Sequence, residues 1–249
     1  MIAVLSPAKS LDYASKRPPV AATTPRFADE ASTLAAAAAR LSHKKLAELM
    51  HISPALARLN AERFRDFPDA PQRPAIHAFD GDVYTGFDVT TLDEAGLDFA
   101  QDHVRILSGL YGLLRPFDLI RPHRLEMGTR WAPRRAKLID WWQGRIAAAL
   151  AEDLAQEGSG TVLNLASKEY WSAVDGKLPA GVRVVAADFR EGLDRRFVTF
   201  WGKQARGSMA RWVAEHRIDQ LDAVRGFDAD GYAFDAGASE ENHWVFVRA

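Results

Sequence analysis

Short apolar runs closed by turn residues alternate along this chain with longer amphipathic stretches, the pattern of mixed α and β structure. Ile2 to Leu5 reads as a buried strand ending at Ser6-Pro7, which leaves Lys9 and Ser10 on its exit loop. Phe27 to Met50 is alanine-rich and helical, and Ser53-Pro54 caps a further helix running to about Phe64. Ala75 to Phe79 predicts a strand closed by Asp80-Gly81-Asp82, and Phe99 to Leu107 predicts a helix. Leu138 to Gln156 is amphipathic, with Trp141, Ile146 and Leu150 on its apolar side. Thr161 to Leu165 is a strand leading into a helix capped by Ser167. Val182 to Ala187 and Arg196 to Phe200 read as strands, Gly202 to Arg217 as a helix, and Tyr232 to Phe234 with Trp244 to Val247 as a closing strand pair. With no repeat and no linker, the expectation is one α+β domain over residues 1–249, a mixed sheet surrounded by helices.

Leu107 to Pro116 is the stretch around which the rest is arranged. Ser108-Gly109 makes a tight turn, Gly112 follows Leu110 and Tyr111, and Arg115, Arg121 and Arg124 come next. Glycines in such a turn leave backbone N–H groups uncovered, and guanidinium groups suit phosphate geometry. The stretch therefore reads as a hairpin offering amides and arginines to an anion.

Charge sharpens that reading. The net charge is −1, yet seven acids and no Lys or Arg lie between Asp80 and Asp102, whereas eight Lys or Arg and two acids lie between His103 and Lys137. A local basic patch sets the local field whatever the total. The alternative is that the two blocks face one another in the fold. There is no cysteine, which excludes disulfides, thiolate metal sites and thiol sensing of oxidants. No apolar run is long enough to span a bilayer and no leader precedes Ile2, so a cytoplasmic protein without membrane contact is expected.

Candidate chemistry gathers at three places. On the Gly202–Arg217 helix, Lys203, Arg206, Arg211 and Arg217 share half of the helical wheel with Gly207, Ala210 and Ala214. That face suits a polyanion, or close helix packing. Lys9, Tyr84, Asn164, Ser167 and Glu169 sit at strand ends, where a polar pocket forms and where Glu169 is a candidate base with Lys9 or Tyr84 as partners. His77, Asp80 and Asp82 have metal-ligand character, but strand alternation puts the histidine opposite the aspartates, so an Asp-Gly turn is the better reading and no metal is expected. No phosphate-loop, dinucleotide or nucleophile-elbow motif occurs, and no cofactor is expected.

Ser6-Pro7-Ala8-Lys9-Ser10-Leu11-Asp12, Phe79-Asp80-Gly81-Asp82-Val83-Tyr84, Leu107 to Pro116, Pro122-His123-Arg124-Leu125-Glu126-Met127-Gly128, Asn164 to Tyr170 and Lys203-Gln204-Ala205-Arg206-Gly207 together resemble the YaaA family of bacterial peroxide-stress proteins, in family order. The resemblance implies a cytosolic protein that limits oxidative damage and affects free iron. It also implies a single α/β fold with a helix-hairpin-helix element at about residues 98–122, its hairpin at Ser108 to Gly112, and a positive cleft that binds DNA without reading sequence.

The reading is then a monomeric DNA-binding stress protein. Gly109, Tyr111 and Gly112 form the hairpin, with Tyr111 stacking on a base, and Lys9, Arg115, Arg121, Arg124, Lys203 and Arg206 meet phosphates. The alternative is an enzyme acting on a nucleobase or nucleotide at Lys9, Tyr84, Asn164 and Glu169. A third, weaker reading is iron held by Asp80, Asp82 and a histidine.

Overall fold

The computed structural model describes Met1–Ala249. Strand β1 (Ile2–Leu5) is wholly buried, as its unbroken apolar run requires, and a two-residue strand β2 (Ser10–Leu11) follows on its exit loop. The alanine-rich region is two helices, α1 (Ala28–Ala38) and α2 (His43–Met50), the second capped by Ser42 Oγ accepting from the Lys45 N–H. Helix α3 (Pro54–Arg65) begins as its cap predicts, with Ser53 Oγ accepting from the Leu56 N–H at 3.3 Å. Short elements come next: β3 (Arg73–Pro74), α4 (Ala75–Ala78), β4 (Phe79–Asp80), α5 (Asp82–Phe87) and α6 (Glu94–His103).

The centre of the chain holds β5 (Val104–Ser108), β6 (Gly112–Leu114) and β7 (Leu119–Ile120). Helix α7 (Leu138–Trp142) is separated from α8 (Arg145–Glu157) by left-handed Gln143 and Gly144. Strand β8 (Thr161–Asn164) leads into a single turn, α9 (Lys168–Trp171), and β9 (Arg183–Glu191) leads into the long helix α10 (Thr199–Glu215). Strands β10 (Tyr232–Phe234) and β11 (His243–Arg248) close the fold as an antiparallel pair.

Seven strands form the main sheet in the order β10-β11-β9-β8-β1-β5-β6. The inner five are parallel, and β10 and β6 run antiparallel at the two edges. One contiguous apolar core fills the space between sheet and helices. From β1 the chain crosses to β5 on one side, and from β8 it crosses to β9 on the other. The carboxyl ends of β1 and β8 therefore lie at the point where winding reverses, which is where open α/β sheets leave a crevice.

Three sequence expectations are corrected. Ala75 to Ala78 is a helical turn rather than a strand. Thr199 to Trp201 opens α10, so no strand forms over Arg196 to Phe200. The run from Phe99 to Leu107 is divided, its first part closing α6 and Val104 onward forming a strand buried on both faces. The supposed helix-hairpin-helix is thus a β-hairpin, with Leu107 paired to Leu113 and Ser108 to Gly112.

That hairpin is interior structure. Ser108 Oγ accepts from the Tyr111 N–H at 3.1 Å, and the Trp142 indole N–H donates to the Gly109 carbonyl at 3.0 Å. A Cβ on Gly109 would lie 2.0 Å from the Leu125 carbonyl oxygen, while Gly112 holds φ +70 with Trp142 and Phe27 against it. Both glycines are there for packing and turn geometry. Tyr111 is 3% exposed, receives the Arg121 N–H on its hydroxyl at 3.0 Å, and is pushed up to a pKa of about 12 by burial. It does not stack on a base. Its ring instead belongs to an internal row running Phe67, Tyr111, His123, Phe79, Tyr84.

His123 in that row and the buried His77 on α4 predict an acid limit. Burial lowers the pKa of both His123 and His77 to about 4. Unfolded histidine takes its proton near pH 6.5, so the stability each contributes is complete above that value and is lost as pH falls toward 4. The urea midpoint should fall steadily over that window. Ring resonances of both histidines should titrate near the bottom of it; a midpoint unchanged from pH 7 to 4.5 would contradict this account.

Candidate functional site

A cleft of about 440 Å³ opens at the switch point, within the size range of small-ligand sites. One wall is the β1 exit, Ser6 to Ser10, and another the β8 exit, Leu165 to Tyr170. The two exits are tied together: Ser6 Oγ accepts from the Ser167 N–H at 2.9 Å. Asn164 shapes the second turn, its Oδ1 accepting from the Ala166 N–H at 2.9 Å. Tyr84 braces the wall from behind by donating to the Ser6 carbonyl at 3.0 Å, and burial holds its phenol well above the usual range, so it stays protonated.

The third wall is α5 against α10, and glycine decides how close they come. A Cβ on Gly207 would sit 1.8 Å from the Val83 carbonyl oxygen, and one on Gly86 would sit 2.1 Å from the Gln204 carbonyl oxygen. The small residues on α10 thus serve helix packing. The contact turns Lys203 and Arg206 into the cleft opposite Asp80 and Asp82. Lys203 Nζ stands 3.6 Å from Asp82 Oδ2. Arg206 is deeper: its Nε is shielded from water with no partner in the protein, and burial lowers its pKa against the pull of Asp188. Arg211, on the same helix, is spent on the Asp88 carbonyl at 2.7 Å, and Arg217 lies beyond the helix end.

The nominated residues therefore separate into groups. Lys9, Glu169, Lys203 and Arg206 meet at this cleft, with Tyr84 and Asn164 just behind it. Arg124 lines a neighbouring cleft, donating from Nε to Glu126 Oε1 at 2.8 Å. Arg121 packs its guanidinium on Phe67 and donates to the Pro68 carbonyl at 2.9 Å. Arg115 lines another hollow with Arg26, Arg105, Asp118 and Asp153. The basic block is thus split across the molecule, and Lys203–Asp82 shows the acidic block answering α10 instead. No cluster of three or more His, Asp or Glu suited to a metal forms, so Asp80 and Asp82 do not assemble the iron site considered above.

Sequence reasoning passed over Glu126. It stands 4.0 Å from Lys9 Nζ, and its Oε2 is shielded and unpartnered. Only its place two residues after Arg124 hinted at this. Lys9 itself is 68% exposed and free to move toward a ligand.

Glu169 is held by the Gly128 N–H, which donates to its Oε1 at 3.0 Å. The cleft so built offers a carboxylate held by an amide, a mobile ammonium and a half-buried guanidinium around one space. Residues 1–238 match the family described as Peroxide stress protein YaaA. The chain belongs to that family. It is also 58% identical over 251 residues to a UPF0246 protein of Rhizorhabdus wittichii, covering all of this chain and 99% of the relative. A UPF0246 protein of Caulobacter vibrioides is 46% identical over 253 residues and one of Burkholderia multivorans 49% over 257, each matching the whole chain. No helix is long and apolar enough to cross a membrane.

Proposed function

We propose that this YaaA-family protein serves peroxide resistance by binding nucleic-acid phosphate at the switch-point cleft, without reading sequence. One nucleotide enters between the β1 exit, the β8 exit and α10, with its phosphate on Lys203 and Arg206. The observation that carries this reading is Arg206, a half-buried guanidinium whose Nε is shielded from water with no partner in the protein and which lines a cleft of nucleotide size. A buried unpaired donor costs about 1–3 kcal/mol, which a phosphate oxygen would relieve. Support for a strand rather than a free nucleotide comes from the loop that leaves Thr129. Arg130, Arg134, Arg135 and Lys137 are all exposed there and can follow a phosphate backbone.

The test is fluorescence anisotropy with duplex, bubble-containing duplex and single strand over a salt series, with a nucleoside monophosphate as competitor. Affinity should fall as salt rises. Lys203→Ala/Arg206→Ala should reduce the slope of log affinity against log salt by about 2. Arg115→Ala should bind like the wild type. Salt-independent binding, or loss in Arg115→Ala alone, would overturn the assignment.

A second reading, catalysis on the bound nucleotide, is favoured by Glu169, whose carboxylate is fixed by the Gly128 amide at the edge of the cleft. Turnover lost in Glu169→Gln with binding retained would select it.

A further inference from the structure

A larger hollow of about 590 Å³ adjoins the switch-point cleft, and the two share Lys9 and Glu169 as common walls. Their chemistry differs. The first holds a guanidinium with a shielded donor to spare, Arg206 Nε, beside Lys203, which stands 3.6 Å from Asp82. The second contains Lys45, 3.6 Å from Glu48, Arg124, which donates to Glu126 at 2.8 Å, and the exposed Arg130.

What the second hollow has unspent is acceptors. Glu126 Oε2 has no hydrogen-bond partner, and Glu169 faces the same space. Glu48, Leu49, Met50 and His51, which end α2 or cap it, form another wall. The last carbonyls of a helix lack intrahelical partners and carry its negative end, so that wall attracts donors.

From these two unpartnered atoms, a donor in one hollow and an acceptor in the other, we infer that the two hollows are halves of one site, which takes the anionic end of its ligand on Lys203 and Arg206 and the hydrogen-bond-donor end, sugar hydroxyls or an exocyclic amino group, on Glu126. The inference rests on the phosphate reading of the first cleft and deepens it. The ligand class becomes a nucleoside phosphate held at both ends, with Lys9 over the junction.

Amide chemical-shift titrations with inorganic phosphate and with a nucleoside 5′-monophosphate separate the claims. Phosphate should shift amides of the first cleft, Gly81 and Ser167, with Gly128 following through its bond to Glu169, and should shift Thr129, which lines only the second hollow, far less. The monophosphate should shift all four with a single midpoint. Glu126→Gln should weaken the monophosphate about tenfold, as loss of a charged hydrogen bond does, and leave phosphate affinity within about twofold. Lys203→Ala should weaken both ligands.

Should the monophosphate move Thr129 no more than phosphate does, or bind Glu126→Gln as tightly as wild type, the two-ended site is wrong while the phosphate reading stands. No shift at Gly81 or Ser167 with either ligand would overturn the phosphate reading and this inference together. Because Glu126→Gln removes the partner of Arg124, its thermal midpoint is read alongside. Shifts at Thr129 in the wild type do not depend on that variant.

Discussion

Gly207→Ala is expected to lower stability by about 3 kcal/mol or more, because the new methyl has nowhere to go that does not move backbone. An added Cβ would lie 1.8 Å from the Val83 carbonyl oxygen and 2.8 Å from the Phe87 amide nitrogen, so α5 has to move as a unit. The opposing effect is helix propensity, worth about 1 kcal/mol in favour of alanine, which is too small to compensate. For a chain of this size the melting temperature should fall by roughly 6–12 °C. Ligand binding should weaken as well, since the same displacement moves Lys203 and Arg206 away from Asp82 and the β1 exit. Gly226→Ala is the matched control: its nearest neighbour would be 3.9 Å away. Equal melting temperatures for the two variants would show that the α5–α10 contact is not the constraint described.

Asp153→Asn should cost about as much again, through charge. Asp153 and Arg105 are 2% and 4% exposed in their side chains, and Arg26 closes on the same carboxylate. Removing the anion leaves Arg105 buried with no counter-charge, at an expected loss of about 3–5 kcal/mol. Lys45–Glu48 is the contrast. That pair is about half exposed, and its removal should cost less than about 1 kcal/mol. A small effect of Asp153→Asn would mean that water reaches Arg105. Arg115 lines the same hollow as this trio, beside Asp118.

Local signals in the sequence were read well where one residue decides the geometry. Ser53-Pro54 had to start a helix, and the run Ile2 to Leu5 had to be a buried strand. Phe99 to Leu107 misled because an apolar run without alternation fits a buried strand as well as a helix, and only its partners choose. The two glycines of the hairpin misled in the same manner. What they accommodate is Leu125, Trp142 and Phe27, which the sequence places far away. Lys9, Glu169, Lys203 and Arg206 were each recognisable as polar residues at element ends. Their meeting at one cleft depends on the strand order, and therefore on pairings no local pattern encodes. Glu126 was invisible because its meaning lies in a hydrogen bond it lacks.

Strand order has a further consequence, for how the molecule is made. Strand β1 sits between β5 and β8, so Ile2 is matched to Val162 and Ala3 to both Val104 and Leu163. Both edges of β1 are satisfied only when more than half of the chain is present. Until then an apolar strand with a free hydrogen-bonding edge waits in solution, the kind of segment that pairs with strangers. Folding should therefore be slow, as for other chains dominated by distant pairings. A fragment ending before β8 lacks both the β8 exit and α10, two walls of the cleft, so the capacity to bind and the completed fold arrive together.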